Sequence, residues 1–451
     1  MLKGNQYYYI DTMGCALNEN DSMKYKGILE KCGYIYTENI EIANVVLFNT
    51  CAIRENAEEK LYGRLGQLKN KKKKAKEEGF ELYICIVGCM TEQKSALDKL
   101  KSSYSFVDVI LGTKSMQFFA EKLYLAMKEN KKTRDEQLNE HEIVEDVPVV
   151  YDDGYKASVA IIYGCNNFCS YCIVPYVRGR ERSRLPQDII ADIEKLAIAG
   201  YKEITLLGQN VNSYGNDFKG ELCGYSFVDL LKAVDKIDGI EIIKFTSPHP
   251  KDFTDELIDY IAVNPKISRQ LHLPLQSGST KVLKDMNRKY SKEQYLNLVE
   301  KIKGKVHDVS FSTDIIVGFP GETENDFLDT LDVVNRVNFD MIYMFCYSIR
   351  KGTRAEKMDG QIEEKVKVER LERLKALYEK MVGENNDKKI GKVYKILIEG
   401  KSKTNENKYT GRTIDNKVVV LDGKDEDIGK IMDIKIVENN KWYLTGEKLN
   451  V

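Results

Sequence analysis

Three closely spaced cysteines, Cys165, Cys169 and Cys172, are the residues of this chain with the most specific chemical pattern. Their CxxxCxxC spacing places three thiols in one short loop. A cluster of four irons and four sulfides is normally held by four thiolates. If this loop binds such a cluster, one iron stays open for a ligand that is not protein.

Zinc binding and disulfide formation are the alternative uses of these thiols. Structural zinc needs four closed ligands, usually in two paired halves, and no second half lies near Cys165. Ten cysteines in 451 residues do not make a disulfide scaffold. The N-terminus lacks an apolar signal segment, and no apolar run approaches the ~20 residues of a membrane span. We therefore expect a cytoplasmic protein without a membrane partner.

An open iron is what radical chemistry driven by S-adenosylmethionine requires. The iron binds the amino and carboxylate groups of the cofactor, and an electron from the cluster cleaves its carbon–sulfur bond. The cysteine loop resembles that of the radical-SAM enzymes.

The elements that position this loop are predicted from apolar runs that alternate with helical periodicity. Buried strands are expected near residues 6–11, 43–49, 81–87 and 107–111, which is typical of a parallel α/β sheet. A second series of strands and helices has strands near residues 157–163, 203–207, 241–246, 269–275, 309–317 and 341–347. Six units are too few for an eight-stranded barrel, so we expect a partial, open (βα)6 barrel.

The remaining segments complete the expected domain order. A long amphipathic helix follows the second series, and from about residue 390 short alternating strands with turn signals predict a small antiparallel β-barrel. The fold class is thus α/β, with a first domain at 1–127, a polar linker at 128–153, a core at 154–383 and a terminal barrel at 384–451. A net charge of −1 means that any nucleic-acid binding must come from local patches.

Three more cysteines follow predicted strands of the first domain, namely Cys15, Cys51 and Cys89. Any one of them alone is more simply explained as a small buried residue. Because parallel strands present their carboxyl ends at one edge, however, all three are expected on one rim. The set suggests a second cluster with an open iron. The other four cysteines, Cys32, Cys85, Cys223 and Cys346, show no such pattern.

Longer motifs around both cysteine sets resemble those of the methylthiotransferase family. The N-terminal motifs are Thr12–Asn18, Asn49–Ala57 and Val87–Cys89, and the radical-SAM loop runs from Gly164 to Arg184. Gly411–Thr413 and Asn416–Val419 are similar to segments of a TRAM domain, an RNA-binding barrel. The resemblance covers nearly the whole chain.

The flanking stretches are similar to one branch of that family. Cys51–Glu58, Ser247–Pro250 and Leu273–Gly278 resemble the tRNA 2-methylthio-N-isopentenyladenosine synthases. Branches that act on threonylcarbamoyl-adenosine of tRNA or on a ribosomal-protein aspartate share all six cysteines, so they are the first alternatives. A non-catalytic RNA-binding protein that holds zinc is the second.

The resemblance implies an enzyme with two 4Fe-4S clusters that uses S-adenosylmethionine. Cys165, Cys169 and Cys172 would hold the radical-SAM cluster, which generates a deoxyadenosyl radical. The other three catalytic cysteines, Cys15, Cys51 and Cys89, would hold an auxiliary cluster that carries the sulfur. A second S-adenosylmethionine would supply the methyl group. The implied partners are a tRNA substrate, an electron donor and a sulfur source, the last two of unknown identity.

Further cofactor-binding candidates lie at predicted strand ends and after the loop. Gly208, Gln209 and Asn210 end the second barrel strand, although a tight turn explains the glycine nearly as well. Arg182 belongs to a series of arginines at every second position, at residues 178, 180, 182 and 184. An extended segment would place all four on one face, where guanidinium groups bind phosphates or a carboxylate. Ion pairing with nearby acids is the alternative.

The remaining candidates are weaker. His249 and His272 lie near strand ends, where a lone histidine is more often a structural hydrogen-bonding residue than a ligand. Gly318–Gly321 either lines the cofactor cleft or only turns the chain. Tyr394, Tyr409 and Trp442 are the aromatic residues that the terminal barrel offers for stacking on RNA.

Overall fold

The computed structural model describes residues 6–52, 55–129, 133–134, 143, 145–151, 154–403, 405–413 and 416–449, with the backbone alone at 55–57 and 133–134. Most of the predicted linker, Ile53 and Arg54 of the second cysteine motif, and Asp415 of a predicted turn lie outside these residues. None of the described helices is long and apolar enough to cross a bilayer.

The first domain is a parallel sheet of six strands in the order β2-β1-β3-β4-β5-β6, with helices on both faces. The four predicted strands are present, and β2 and β6 add short edges. The elements are β1 (Gln6–Met13), α1 (Ala16–Lys31), β2 (Tyr34–Tyr36), β3 (Val45–Thr50), α2 (Glu55–Glu77), β4 (Tyr83–Gly88), α3 (Lys94–Ser103), β5 (Val109–Leu111), α4 (Phe119–Glu129) and β6 (Thr133–Arg134).

The second series forms the expected partial, open barrel of six parallel strands, β7 and β10–β14, called the half-barrel below. Two three-stranded sheets, β11-β10-β7 and β12-β13-β14, are joined by a parallel bridge between Ile243 and Ile267. The elements are β7 (Lys156–Ala160), β8 (Ile162–Tyr163), α5 (Val174–Val177), β9 (Arg182–Ser183), α6 (Pro186–Ile198), β10 (Glu203–Leu207), α7 (Phe227–Asp235), β11 (Ile242–Phe245), α8 (Asp255–Val263), β12 (Gln270–His272), α9 (Thr280–Asp285), α10 (Lys292–Lys305), β13 (Ser310–Val317), α11 (Glu324–Val337), β14 (Met341–Cys346) and α12 (Glu364–Asp387).

The terminal domain is a closed barrel of five strands in the order β15-β16-β17-β19-β18. It is antiparallel as expected, except that β17 pairs with β19 in parallel. Its strands are β15 (Val393–Lys401), β16 (Tyr409–Arg412), β17 (Val418–Leu421), β18 (Ile431–Asn439) and β19 (Leu444–Lys448).

The terminal barrel contacts both edge strands of the half-barrel near their first residues. Tyr155, which precedes β7, donates its hydroxyl to Glu399 O, and Lys156 Nζ lies 3.4 Å from Glu399 Oε1. At the other edge, Lys417 Nζ donates to Asp340 O, just before β14, at 2.9 Å. The barrel therefore ties the two edges of the open sheet together.

The described part of the predicted linker packs against α1. Val150 N donates to Met23 O at 3.1 Å. Gly27 leaves no space for a side chain, because a Cβ there would lie 2.2 Å from Pro148 O. Pro148 and Val150 therefore pack against the first domain.

A buried ion pair joins the loop after β13 to α12. Glu322 is 3% exposed and Arg370 is 5% exposed, and Arg370 Nη1 donates to Glu322 Oε1 at 2.7 Å. Replacing Glu322 with Gln leaves the guanidinium without this counter-charge. We expect a loss of unfolding free energy of about 3 kcal/mol, the low end for a broken buried pair because Glu324 remains nearby. Urea unfolding of the anaerobically handled protein measures it.

The control is Glu324→Gln, since Glu324 is half exposed and lies 3.8 Å from Arg370 Nε. An exposed pair contributes at most about 1 kcal/mol. Equal losses of unfolding free energy in both variants would contradict the stabilising role assigned to the Glu322–Arg370 pair.

Candidate iron–sulfur site

The first cysteine set lies on one rim of the six-stranded sheet. Strands β1, β3 and β4 are consecutive neighbours and end in register. Cys51 and Cys89 directly follow β3 and β4, and Cys15 caps the N-terminus of α1 just past β1. The sheet order thus brings together three thiols that are far apart in sequence. This confirms the prediction from the strand-end rule, that residues at the carboxyl ends of neighbouring parallel strands lie on one edge of the sheet.

The thiols of this set differ in their electrostatic surroundings. A hydrogen bond from Cys51 lowers the pKa of Cys15 to about 6; burial opposes this, and the nearby Arg178 guanidinium assists it. Burial raises the pKa of Cys89, although Arg178 works against it. Cys15 therefore loses its proton at lower pH than Cys89.

The CxxxCxxC loop begins directly after β8, which pairs with β9 in a separate two-stranded sheet. Gly164 has φ +78°, and a Cβ there would lie 2.1 Å from Arg180 O, so only glycine fits directly before Cys165. Cys165 and Cys169 are each 8% exposed. Burial raises the pKa of Cys165 to about 11 and that of Cys172 to about 12.

A segment more than a hundred residues further along the chain fastens this loop. Asn287 Nδ2 donates to Asn167 O and Phe168 O, each at 3.0 Å. Ser170 Oγ donates to Asp285 O at 2.8 Å, and Arg288 Nη1 lies 3.5 Å from Cys169 Sγ. Sequence reasoning missed this segment, because nothing local marks a residue that acts at such a separation.

Both cysteine sets open onto one cavity of about 270 Å³. It is lined by five of the six cysteines, Cys15, Cys89, Cys165, Cys169 and Cys172. The sixth, Cys51, is 2% exposed and is hydrogen-bonded to Cys15, which lines the cavity. The fold therefore brings the two sets to a common space.

The predicted cofactor-binding residues divide around this cavity. Gly208 and Gln209 line it. Asn210 is 1% exposed and does not line it; its Nδ2 donates to Asp252 Oδ2 at 2.8 Å. Arg182 lies at a smaller neighbouring cavity of about 60 Å³, which it shares with Arg178.

The two histidines also line the cavity. His272 Nδ1 is 2.9 Å from Ser312 Oγ, consistent with a structural role. His249 Nδ1 accepts from Lys251 N at 3.2 Å, whereas its Nε2 is buried without a partner among the described residues, as is Gln209 Oε1. Burial, assisted by Arg288 and Lys251, lowers the pKa of His249 far below its usual value, so the ring is neutral.

The observed residues fit the implied groups. Thiolates are the soft ligands that iron–sulfur clusters require. The two buried polar atoms without partners, on Gln209 and His249, offer hydrogen bonds to a polar ligand in the cavity. Among the described residues, no group of three or more His, Cys, Asp or Glu side chains is arranged to hold a lone metal ion. A cluster binds each thiolate at a different iron, so its thiolates need not converge on one point.

The prediction that the four arginines share one face is wrong. Arg178 and Arg184 are 4% and 5% exposed and form buried ion pairs, Arg178 with Asp21 and Arg184 with Glu145 and Asp192. Arg180 alone is exposed, over the ring of Phe168. The segment begins at the end of α5 and turns at residue 179, so it does not extend over all four positions.

The other weak candidates are also placed. Gly318–Gly321 does not contribute to the cavity, and Gly318 (φ +73°) turns the chain. Tyr409 is 6% exposed in the core of the terminal barrel, so its predicted availability for stacking is wrong. Trp442 is 54% exposed, and Tyr394 is partly buried.

The contrast in thiol pKa gives a direct prediction for iron-free protein. A thiolate is the reactive form of cysteine. At pH 7, Cys15 is mostly deprotonated, whereas Cys165 and Cys172 stay protonated until far higher pH. We expect iodoacetamide to label Cys15 first, with a rate that rises through about pH 6, as read by peptide mass spectrometry. The exposed Cys223 is the control for access; faster labelling of Cys165 than of Cys15 would contradict the assignment.

Three family profiles match separate parts of the chain. The Radical SAM superfamily matches residues 159–334, Uncharacterized protein family UPF0004 matches residues 7–112, and the TRAM domain matches residues 387–449. The TRAM match indicates RNA binding, and the radical-SAM match implies S-adenosylmethionine and iron–sulfur chemistry.

Solved structures show the same fold at low sequence identity. The radical S-adenosylmethionine methyltransferase TsrM from Kitasatospora setae, with cobalamin and a [4Fe-4S] cluster bound, superposes with a TM-score of 0.54 at 13% identity and covers 78% of this chain and 77% of its own.

Curated relatives are similar along almost the whole chain. Proteins named tRNA-2-methylthio-N(6)-dimethylallyladenosine synthase from Thermoanaerobacter pseudethanolicus and Caldicellulosiruptor saccharolyticus are 49% and 50% identical. The alignments cover 99% and 98% of this chain and 93% and 92% of the relatives. One from Clostridium botulinum (strain Eklund 17B) is 48% identical over 98% of this chain and 96% of its own length. The chain therefore belongs to the tRNA-2-methylthio-N6-dimethylallyladenosine synthase family of radical-SAM enzymes.

Proposed function

We propose that this enzyme installs a methylthio group at carbon 2 of N6-isopentenyladenosine (dimethylallyladenosine) next to the anticodon of tRNA. It consumes two S-adenosylmethionine molecules, one as methyl donor and one as radical source. The observation that carries the proposal is the single cavity onto which both cysteine sets open. A sulfur-bearing group and a radical source must act on the same carbon, and a shared cavity allows both to reach it.

The chemistry of the target carbon explains the need for two sites. Carbon 2 of adenine carries an aromatic C–H bond that no side-chain base deprotonates at neutral pH, so acid–base catalysis is no route to sulfur insertion. When bound, the iron–sulfur groups and S-adenosylmethionine supply the electron, the radical, the sulfur and the methyl group.

The proposed division of labour follows the two domains. Cys165, Cys169 and Cys172 hold the 4Fe-4S cluster that binds S-adenosylmethionine, and Cys15, Cys51 and Cys89 hold the auxiliary 4Fe-4S cluster. Gln209 and His249 offer uncharged hydrogen-bonding atoms to the cofactor or the substrate base. A neutral His249 donates at Nε2, because its Nδ1 accepts from Lys251 N and the single ring proton is therefore on Nε2.

The open edge of the half-barrel supports entry of an RNA base. Met341, Tyr343 and Phe345 alternate along β14 and are 41%, 48% and 51% exposed. The Tyr343 ring centroid lies 5.9 Å from that of His272, which lines the cavity. Exposed aromatic rings beside a residue that lines the cavity provide stacking surfaces for the unpaired bases of an anticodon loop. The sequence signal for them was the alternation of aromatic residues on the last strand.

The function is tested with anaerobically reconstituted enzyme, reductant, S-adenosylmethionine and tRNA that carries isopentenyladenosine. We expect the 2-methylthio product by nucleoside mass spectrometry. Cys51→Ala should keep cleavage of S-adenosylmethionine to deoxyadenosine and lose methylthiolation, because Cys51 belongs to the auxiliary set alone. Cys169→Ala should lose both activities.

Two results would contradict this proposal. Normal product from Cys51→Ala would refute the auxiliary site. Modification of threonylcarbamoyl-adenosine or of a ribosomal-protein aspartate in place of isopentenyladenosine would reassign the substrate to a related branch.

The stacking surface gives a separate prediction. Tyr343→Ala and Phe345→Ala should each weaken binding of an anticodon stem-loop by roughly tenfold, since loss of a base–aromatic stack costs about 1–3 kcal/mol. Fluorescence anisotropy measures the Kd. Tyr124→Ala on α4, where the ring is 57% exposed and outside the cavity, is the matched control. Unchanged Kd in both β14 variants would exclude this surface.

A further inference from the structure

Arg178 connects the radical-SAM loop with the cysteine rim of the first domain. It lies six residues past Cys172, at the end of α5, and is 4% exposed. Its Nε is 3.0 Å from Cys89 Sγ, and its Nη2 donates to Asp21 Oδ2 at 2.8 Å. A cation from one domain is therefore buried against a proposed cluster ligand of the other.

The second cysteine set has its own buried arginine, but with a different balance of charge. Arg288 Nη1 is 3.5 Å from Cys169 Sγ, and its other groups donate to Pro274 O at 2.9 Å and to the Tyr290 hydroxyl at 3.0 Å. Those two acceptors are uncharged, and no ion pair of Arg288 with a carboxylate occurs among the described residues. Arg178, in contrast, has the carboxylate of Asp21 as its partner.

Buried charges act strongly on a cluster because little solvent screens them. A cluster gains negative charge when it is reduced, so a nearby cation favours the reduced form and a nearby anion opposes it. Charge and hydrogen bonds near the cluster sulfurs are recognised determinants of its reduction potential.

We propose that Arg178 and Asp21 together set the reduction potential of the auxiliary cluster: the guanidinium raises it, and the carboxylate limits that rise. Arg178 is thus a positioning residue that the radical-SAM domain supplies to the other domain's site. The inference rests on the proposed function, since it requires a cluster on Cys15, Cys51 and Cys89.

Arg184 provides a matched control for a purely structural role. It is 5% exposed and forms buried ion pairs with Glu145 and Asp192 at 2.5 and 2.8 Å. Its hydrogen-bond partners include no cysteine. If Arg178 served only to hold segments together, Arg184→Gln and Arg178→Gln would have the same effect on the auxiliary cluster.

The test isolates the auxiliary cluster in full-length protein in which Cys165, Cys169 and Cys172 are all alanine. The ratio of reduced to oxidised cluster is followed by electron paramagnetic resonance under anaerobic potentiometry. We expect Arg178→Gln to lower this ratio at least tenfold at a fixed potential, a negative shift of about 59 mV for a one-electron couple. Asp21→Asn should shift it positively, Arg178→Lys should restore part of the loss, and Arg184→Gln should leave it unchanged.

The outcomes separate this inference from the proposed function. An iron-loaded cluster whose potential does not move in Arg178→Gln, or moves equally in Arg184→Gln, overturns the inference alone. Absence of any cluster from the triple-alanine protein overturns both. If Arg178→Gln fails to load iron, Asp21→Asn decides: a positive shift supports the inference, and no shift overturns it.

Discussion

The contact between α1 and the edge strand β7 determines the architecture of the site. An open half-barrel leaves the backbone groups of its first strand without a neighbouring strand. Asn20 on α1 meets this need by donating its side-chain amide to Ser158 O at 2.8 Å, and Lys24 on the same helix donates to the Tyr163 hydroxyl at 2.9 Å. Because Cys15 caps α1 and Cys165 follows β8, this contact also fixes the separation of the two cysteine sets.

The part of the site that the sequence predicted follows from the strand-end rule. It placed Cys15, Cys51 and Cys89 on one rim, because parallel strands in register must end together. It also placed Gly208 and Gln209 at the cavity. Asn287 and Arg288 were not predicted, because their hydrogen bonds to the cysteine loop depend on how the segment after α9 packs against that loop. The burial of Arg178 and Arg184 escaped as well, because spacing along the chain does not reveal the partners Asp21 and Glu145.

The apolar periodicity of the sequence predicted the long elements of the fold, but not all of its short strands or their pairing. The strands of both series and the long helix α12 lie where apolar patterns predict them. The short strand β2 and the parallel pairing of β17 with β19 were not predicted, since segments of three to five residues carry too little periodic signal. The contrast between a low pKa at Cys15 and high values at Cys165 and Cys172 also depends on tertiary burial. A cluster bound at Cys165 and Cys172 would therefore displace more protons from these two thiols than from Cys15.

The terminal barrel's contacts at Glu399 and Lys417 have a geometric consequence for the substrate. They clamp the first residues of β7 and the segment before β14, so the gap between these strands cannot widen unless the contacts break. The first residues of the two edge strands consequently keep a constant separation. A single nucleotide flipped out of its loop passes through a gap of limited width more readily than a stacked stem does.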